Sequence, residues 1–129
     1  MSHVVLDASA ILALLKGERG ASKVASVLAD ASVCAINQAE VISHFVHLGA
    51  PIEDVQAMLG ALPYSVVAAD DTLAWDAGSL RSVTASAGLS LGDRFCLALG
   101  KRLDASAYTA DKVWRDIARE VGVKVVVIR

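Results

Sequence analysis

The sequence predicts a layered α/β domain built on a central parallel sheet, and three observations predict it. Short runs rich in β-branched residues alternate with longer runs of helical apolar periodicity, the pattern of successive βα units. Hydrophobic residues make up 55% of the chain and charged residues only 20%, as expected when strands are covered on both faces. Glycine and proline punctuate the runs: Gly17 and Gly20 interrupt the first helical hairpin, Gly49 and Pro51 separate two helices, and Gly88 and Gly122 follow others. With 129 residues and no linker, repeat or low-complexity stretch, residues 1–129 read as one domain. A domain of that size buries roughly two-thirds of its unfolded surface.

The elements follow in order. Five strands are expected at His3 to Leu6, Ser32 to Ile36, Tyr64 to Ala68, Ala105 to Tyr108 and Val123 to Ile128; the last, VKVVVI, has the strongest β-propensity. Helices are expected near Ala8 to Leu15, Ala21 to Ala29, Gln38 to Leu48, Ile52 to Leu62, Asp71 to Ser86, Asp93 to Arg102 and Lys112 to Glu120. In an open parallel sheet the ligand site lies beyond the carboxyl ends of the strands. Residues just after strands therefore carry the functional reading.

Composition excludes some classes of function. The two cysteines, Cys34 and Cys96, lie in apolar stretches without ligand spacing, so they read as buried thiols in a reducing cytoplasm. The segment Ala8 to Leu15 is apolar but short, and no run approaches the ~18 residues of a membrane span, so no membrane association is expected. The formal net charge of −2 does not advertise a polyanion binder.

Four acids stand at informative places. Asp7 ends the first strand in VVLDAS, Glu40 lies one turn into the helix after the second strand, Asp93 opens a helix in LSLGDRFC, and Asp111 follows the fourth strand in AYTAD. Each also has a structural reading, because helix N-termini favour carboxylates. Asn37 with Glu40 and Ser90 with Asp93 both have capping-box spacing, while Asp7 and Asp111 stand where a first helical turn begins. Four such placements together point to a shared acidic pocket. Clustered carboxylates repel unless a cation neutralises them, and all-oxygen ligation selects Mg²⁺ or Mn²⁺ over zinc. The chemistry such a site serves is hydrolysis of a phosphodiester. Ser9 and Thr109 offer hydroxyls that orient the carboxylates.

D-A-S after the first strand, N-x-x-E after the second, LSLGDRFCLAL and TADKVW together resemble the PIN-domain family over nearly the whole chain. The length and the ending GVKVVVIR resemble VapC-type toxins of toxin–antitoxin pairs. The resemblance implies a three-layer fold with strand order 3-2-1-4-5, Mg²⁺- or Mn²⁺-dependent endoribonuclease activity on an RNA substrate, a homodimer and a small cognate VapB-type antitoxin. It carries the catalytic and metal-binding roles to Asp7, Glu40, Asp93 and Asp111, with Ser9, Asn37 and Thr109 as supporting polar groups. Some relatives have a further acid where this chain has Val113; Asp116 either takes its place through a water or, as its spacing favours, is a solvated helix residue.

Other features receive plainer readings. Glu40, His44 and His47 share a helical face with the spacing of a metal triad, but the histidines lie progressively farther from the pocket and read as partly buried or surface residues. Asp70 and Asp71 follow a strand that the implied order puts at the edge, roughly 10 Å from the centre, and so cap the helix that follows. Arg94 and Lys112 adjoin motif acids and are candidate contacts to RNA phosphates, whereas Lys101, Arg115 and Arg119 read as solvated surface. Trp75 and Trp114 read as packing, and the apolar helix holding Val41, Ile42, Phe45 and Val46 reads as core. Aspartyl phosphotransferases require a second Asp where Ser9 stands, and receiver domains require a Lys after the fifth strand. A PIN-like module that binds metal or a partner without turnover is the alternative of a different class.

Overall fold

Valine, alanine and serine dominate the three- and four-residue strands at the centre of the fold. The computed structural model describes residues 3–129. Strands β1 (Val4–Leu6), β2 (Ala31–Cys34), β3 (Ser65–Val67), β4 (Ser106–Thr109) and β5 (Val125–Val127) form one parallel sheet in the order β3-β2-β1-β4-β5. Around it run α1 (Ala8–Leu15), α2 (Ala21–Ala25), α3 (Ala35–His47), α4 (Ile52–Gly60), α5 (Asp71–Ser79), α6 (Arg81–Thr84), α7 (Leu91–Leu103) and α8 (Trp114–Val121). The α/β class, the parallel sheet and the strand order agree with the expectation.

Strand β1 is the axis of the sheet. Val4 stands opposite Ala31 of β2 and Ser106 of β4, and Leu6 opposite Tyr108, so both edges of β1 are hydrogen-bonded. Because side chains alternate along a strand, Val5 enters one core while Val4 and Leu6 enter the other. The Val5 core holds Leu73 and Ala77 of α5, Leu97 and Leu99 of α7, and Trp114 and Val121 of α8. The opposite core holds Ala10 and Ile11 of α1, Val24 of α2, Val41 of α3 and Val55 of α4. All three β1 residues are buried, which is why this strand reads as an unbroken apolar run and stops at a carboxylate.

Three elements differ from expectation. Helix α3 begins at Ala35, directly after β2, so Ile36 is helical and Asn37 lies inside the helix rather than capping it. The helix expected over Asp71 to Ser86 is broken into α5, α6 and a 3-10 turn at Ala85–Ala87. Hydroxyls supply the reason: Ser79 donates to the Asp76 carbonyl at 2.9 Å and Thr84 to the Leu80 carbonyl at 2.8 Å, back-bonds that compete with the backbone and bend helices. Helix α2 likewise stops at Ala25, and a 3-10 turn at Leu28–Asp30 leads into β2. No helix among the described residues is long and apolar enough to cross a membrane.

Gly20 closes the fold at its end. Its φ is +98°, and a Cβ there would fall 2.8 Å from both the carbonyl oxygen and Cγ1 of Ile128. Gly17, three residues earlier, has φ of +63° but open space around it. Gly20→Ala is therefore expected to lower stability in urea unfolding by about 2 kcal/mol or more. Gly17→Ala, which adds only backbone strain, is expected to cost about 1 kcal/mol.

Candidate metal centre

The end of β1 places Asp7 at the carboxyl edge of the sheet, and the peptide N–H of Asp7 still donates to the Tyr108 carbonyl at 3.0 Å, fixing its backbone. Asp7 occupies the N-cap position of α1 without making a capping bond. Its Oδ2 instead accepts hydrogen bonds from Ser9 Oγ at 2.7 Å and Thr109 Oγ1 at 3.0 Å. Those hydroxyls are themselves fixed: Ser9 Oγ accepts from the Ala110 N–H at 2.9 Å, and Thr109 Oγ1 from the Asp111 N–H at 3.1 Å. The carboxylate is thus bound to the ends of both β1 and β4. Only 4% of Asp7 is exposed, and burial pushes its carboxyl up to about 6. The Ser9 and Thr109 bonds oppose that rise, while the charges of Asp93 and Glu40 add to it.

Glu40 and Asp93 meet across the join between α3 and α7. Buried Asn37 donates through Nδ2 to Glu40 Oε1 at 2.9 Å and to the Gly92 carbonyl at 3.0 Å, so one amide ties the two helices together. A Cβ at Gly92 would fall within 2.6 Å of Glu40 Cδ and Oε1. A side chain at position 92 would push that carboxylate from its present place. The capping-box reading holds for Ser90 and Asp93, where the Ser90 N–H donates to Asp93 Oδ2 at 2.9 Å and the Asp93 N–H to Ser90 Oγ at 3.2 Å. Capping does not exclude a role in the pocket. Burial raises the carboxyl pKa of both Glu40 and Asp93, with a further rise at Glu40 from the Asp93 charge and at Asp93 from the Asp111 charge. Asp111 is exposed, and its Oδ1 accepts the Val113 N–H at 3.0 Å in the turn before α8.

Asp7, Glu40 and Asp93 are therefore raised by burial and by neighbouring carboxylates along the carboxyl edge of β1, β2 and β4, with the Asp111 charge acting on Asp93. The donors are all oxygen, and Asn37 Oδ1 beside Glu40 is a buried acceptor with no donor. That chemistry fits a hard divalent cation. Among the described residues no three His, Cys, Asp or Glu side chains converge as a ready ligand set. The fit is thus to an ion that keeps several waters and takes one or two carboxylates directly, as Mg²⁺ does. The same observation disposes of Glu40, His44 and His47 as a triad; the two histidines line an open trough on α3 with Ala39 and Ser43.

The basic and aromatic candidates divide. Lys112 is exposed between Asp111 and α8, but Arg94 is only 7% exposed, with its Nη1 donating to the Leu89 carbonyl at 3.0 Å and its Nε buried without a partner. Asp70 caps α5 through the Leu73 N–H at 2.8 Å and pairs with Arg102 at 3.0 Å, away from the pocket. Trp114 is fully buried as expected, whereas Trp75 is 74% exposed on the outer face of α5, contrary to the packing reading. Gly92 is the residue that the motif reading missed. Its signal was available: a glycine in a first helical turn sacrifices about 1 kcal/mol of helix propensity, and it stands beside a motif acid.

Residues 4–120 match the family model described as the PIN domain. No curated protein matches the chain in sequence. Solved structures of similar fold include a toxin–antitoxin complex from Klebsiella pneumoniae, at 17% identity and TM-score 0.73 over 98% of each chain. A DNA-bound VapBC complex from Salmonella typhimurium aligns at 16% identity and TM-score 0.74, again over 98% of each chain. FitAcB from Neisseria gonorrhoeae aligns at 19% identity and TM-score 0.73 over 95% of each chain. At these identities the likeness is one of fold, while the match of the family model over nearly the whole chain shows the family: this protein is a member of the PIN-domain family.

Proposed function

We propose that the chain is a metal-dependent endoribonuclease and the toxin of a VapC-type toxin–antitoxin pair. The observation that carries the hydrolytic reading is the buried Asp7 carboxylate, held by Ser9 and Thr109 and raised in pKa partly by Asp93 and Glu40. A fold gains nothing in stability from such a group; a cation-binding pocket requires it. Membership of the PIN-domain family supports a nuclease, and structural neighbours that are toxin–antitoxin complexes support an antitoxin partner. The apolar groove between α3, α4 and β3, lined by Ile42, Ile52, Val55, Leu59 and Val66, offers a surface for that partner. A homodimer and a cytoplasmic location complete the reading.

Asp7, Asp93 and Asp111, with Glu40, would hold Mg²⁺ or Mn²⁺, one or two of them directly and the rest through its waters. When bound, such an ion supplies Lewis acidity toward water and the scissile phosphate. The protein groups then have separate tasks. Ser9 and Thr109 keep Asp7 in one rotamer, so the pocket is preorganised. Glu40 is fixed through Oε1 by Asn37, which leaves Oε2 to accept the proton of an attacking water as the P–O bond forms. The P–O bond to the ribose oxygen breaks on the opposite side, and that oxygen takes a proton from solvent water. Lys112 stands at the pocket rim to meet a neighbouring phosphate.

Purified protein free of inhibitor is expected to cleave RNA with Mg²⁺ or Mn²⁺, and to stop on addition of excess EDTA. Asp7→Asn should abolish cleavage while retaining the circular dichroism of the native fold; cleavage by the variant, or in EDTA, would contradict the mechanism. The non-catalytic alternative predicts metal binding with no cleavage by the native chain. Gly92→Ala displaces the Glu40 carboxylate and is expected to reduce kcat by about 10- to 100-fold in the same assay, since misplacement of about 1 Å costs that much.

A further inference from the structure

The surface of α8 is divided by charge. Trp114, Ile117 and Val121 are buried and fix the rotation of the helix. Its exposed side carries two rows one turn apart in each step: Arg115 with Arg119, and Asp116 with Glu120. Lys112, in the entry turn, stands three residues before Arg115 and four before Asp116, at the head of both rows, and links the basic row to Asp111 in the acidic pocket. All three cations are exposed. Among the described residues the ion pairs are Lys16 with Glu18, Arg102 with Asp70 and Arg129 with Glu18, so none of the three is engaged.

Of the other helices that start at the pocket, α1 and α3 contain no Lys or Arg, and α7 offers no such row. On α7, Arg94 is buried against the Leu89 carbonyl and Arg102 is paired with Asp70, which leaves Lys101 alone. The net charge of −2 thus conceals a local basic stripe directed away from the acids. Its steps of three and four residues correspond to ~4.5–6 Å along the helix axis. That is comparable to the separation of successive phosphates in an extended strand.

Resting on the nuclease reading, we propose that Lys112, Arg115 and Arg119 form a track that carries the backbone of single-stranded RNA away from the acidic pocket. The acids exclude phosphate from the pocket until a cation is present, while the stripe attracts the flanking phosphates in either case. Separation of the two functions along the chain makes the stripe a determinant of binding rather than of the chemical step. Its chemistry is that of phosphate neutralisation without base contact, so it selects strand form and not sequence.

The test uses the full chain and a labelled single-stranded RNA in excess EDTA, in which the proposed mechanism does not cleave, with binding read by anisotropy from about 50 to about 200 mM salt. Arg115→Gln with Arg119→Gln is expected to weaken binding about tenfold and to reduce the slope of log affinity against log salt by about 1.4, at 0.7 per phosphate. In cleavage of unmodified RNA the double variant should raise KM about tenfold and leave kcat within about twofold. Asp116→Asn with Glu120→Gln, on the adjacent row, should not weaken binding. Unchanged affinity and slope in the arginine variant would overturn the track. So would competition by polyglutamate as effective as that by RNA, which would assign the stripe to an acidic protein. If the native chain cleaves no RNA while binding and slope respond as stated, the nuclease reading fails and the track stands.

Discussion

A carboxylate buried at the end of the central strand is the constraint on which the remaining structure depends. Asp7 has 4% exposure and a pKa of about 6, so at neutral pH the fold carries a charge that burial opposes. The surrounding structure accommodates it by fixed hydrogen bonds. Ser9 and Thr109 donate to one oxygen, and each hydroxyl is held in turn by a backbone N–H from the segment after β4. The end of β1, the start of α1 and the end of β4 are therefore fastened around one oxygen atom. Glu40 and Asp93 approach from the other side through a second fastening, the Asn37 amide between α3 and the first turn of α7.

Much of this arrangement is legible in the chain, because the relevant signals are local. The apolar run VVL stops at an acid, and a strand with both faces covered must reach solvent at its end. Ser90 and Asp93 have capping-box spacing and form the box. Asn37 and Glu40 have the same spacing and do not, because α3 starts at Ala35 and carries both inside the helix. Spacing alone cannot distinguish these cases, since a shift of one turn preserves it. The break between α5 and α6 depends on hydroxyl back-bonds at Ser79 and Thr84, which residue type permits but does not dictate.

Side-chain direction was the least legible property. Arg94 follows a motif acid and has the composition of a phosphate contact, yet the turn of α7 that presents Asp93 to the pocket rotates Arg94 into the protein. Trp75 has the composition of a core residue but falls on the outer side of α5, where Leu73 and Ala77 take the buried positions. The same helical geometry sorts α8 into a buried face and two charged rows. Acidic and basic regions then coexist in a chain of formal charge −2, each with its own place in the fold.

Under the proposed function the fold tolerates the Asp7 charge because a divalent cation uses it, and thermal unfolding of the native chain and Asp7→Asn from about pH 4 to 8, with and without Mn²⁺, reads that charge. A carboxyl whose pKa is raised from 3.8 to about 6 binds its proton more tightly in the folded state, so its penalty is absent below 3.8 and complete above about 6. Without metal, Asp7→Asn is therefore expected to be more stable than the native chain at pH 8, by up to about 3 kcal/mol, and equally stable near pH 4. Addition of Mn²⁺ at pH 8 should stabilise the native chain and leave the variant unchanged. A metal-free difference that does not vary with pH, together with no response of the native chain to Mn²⁺, would contradict the account.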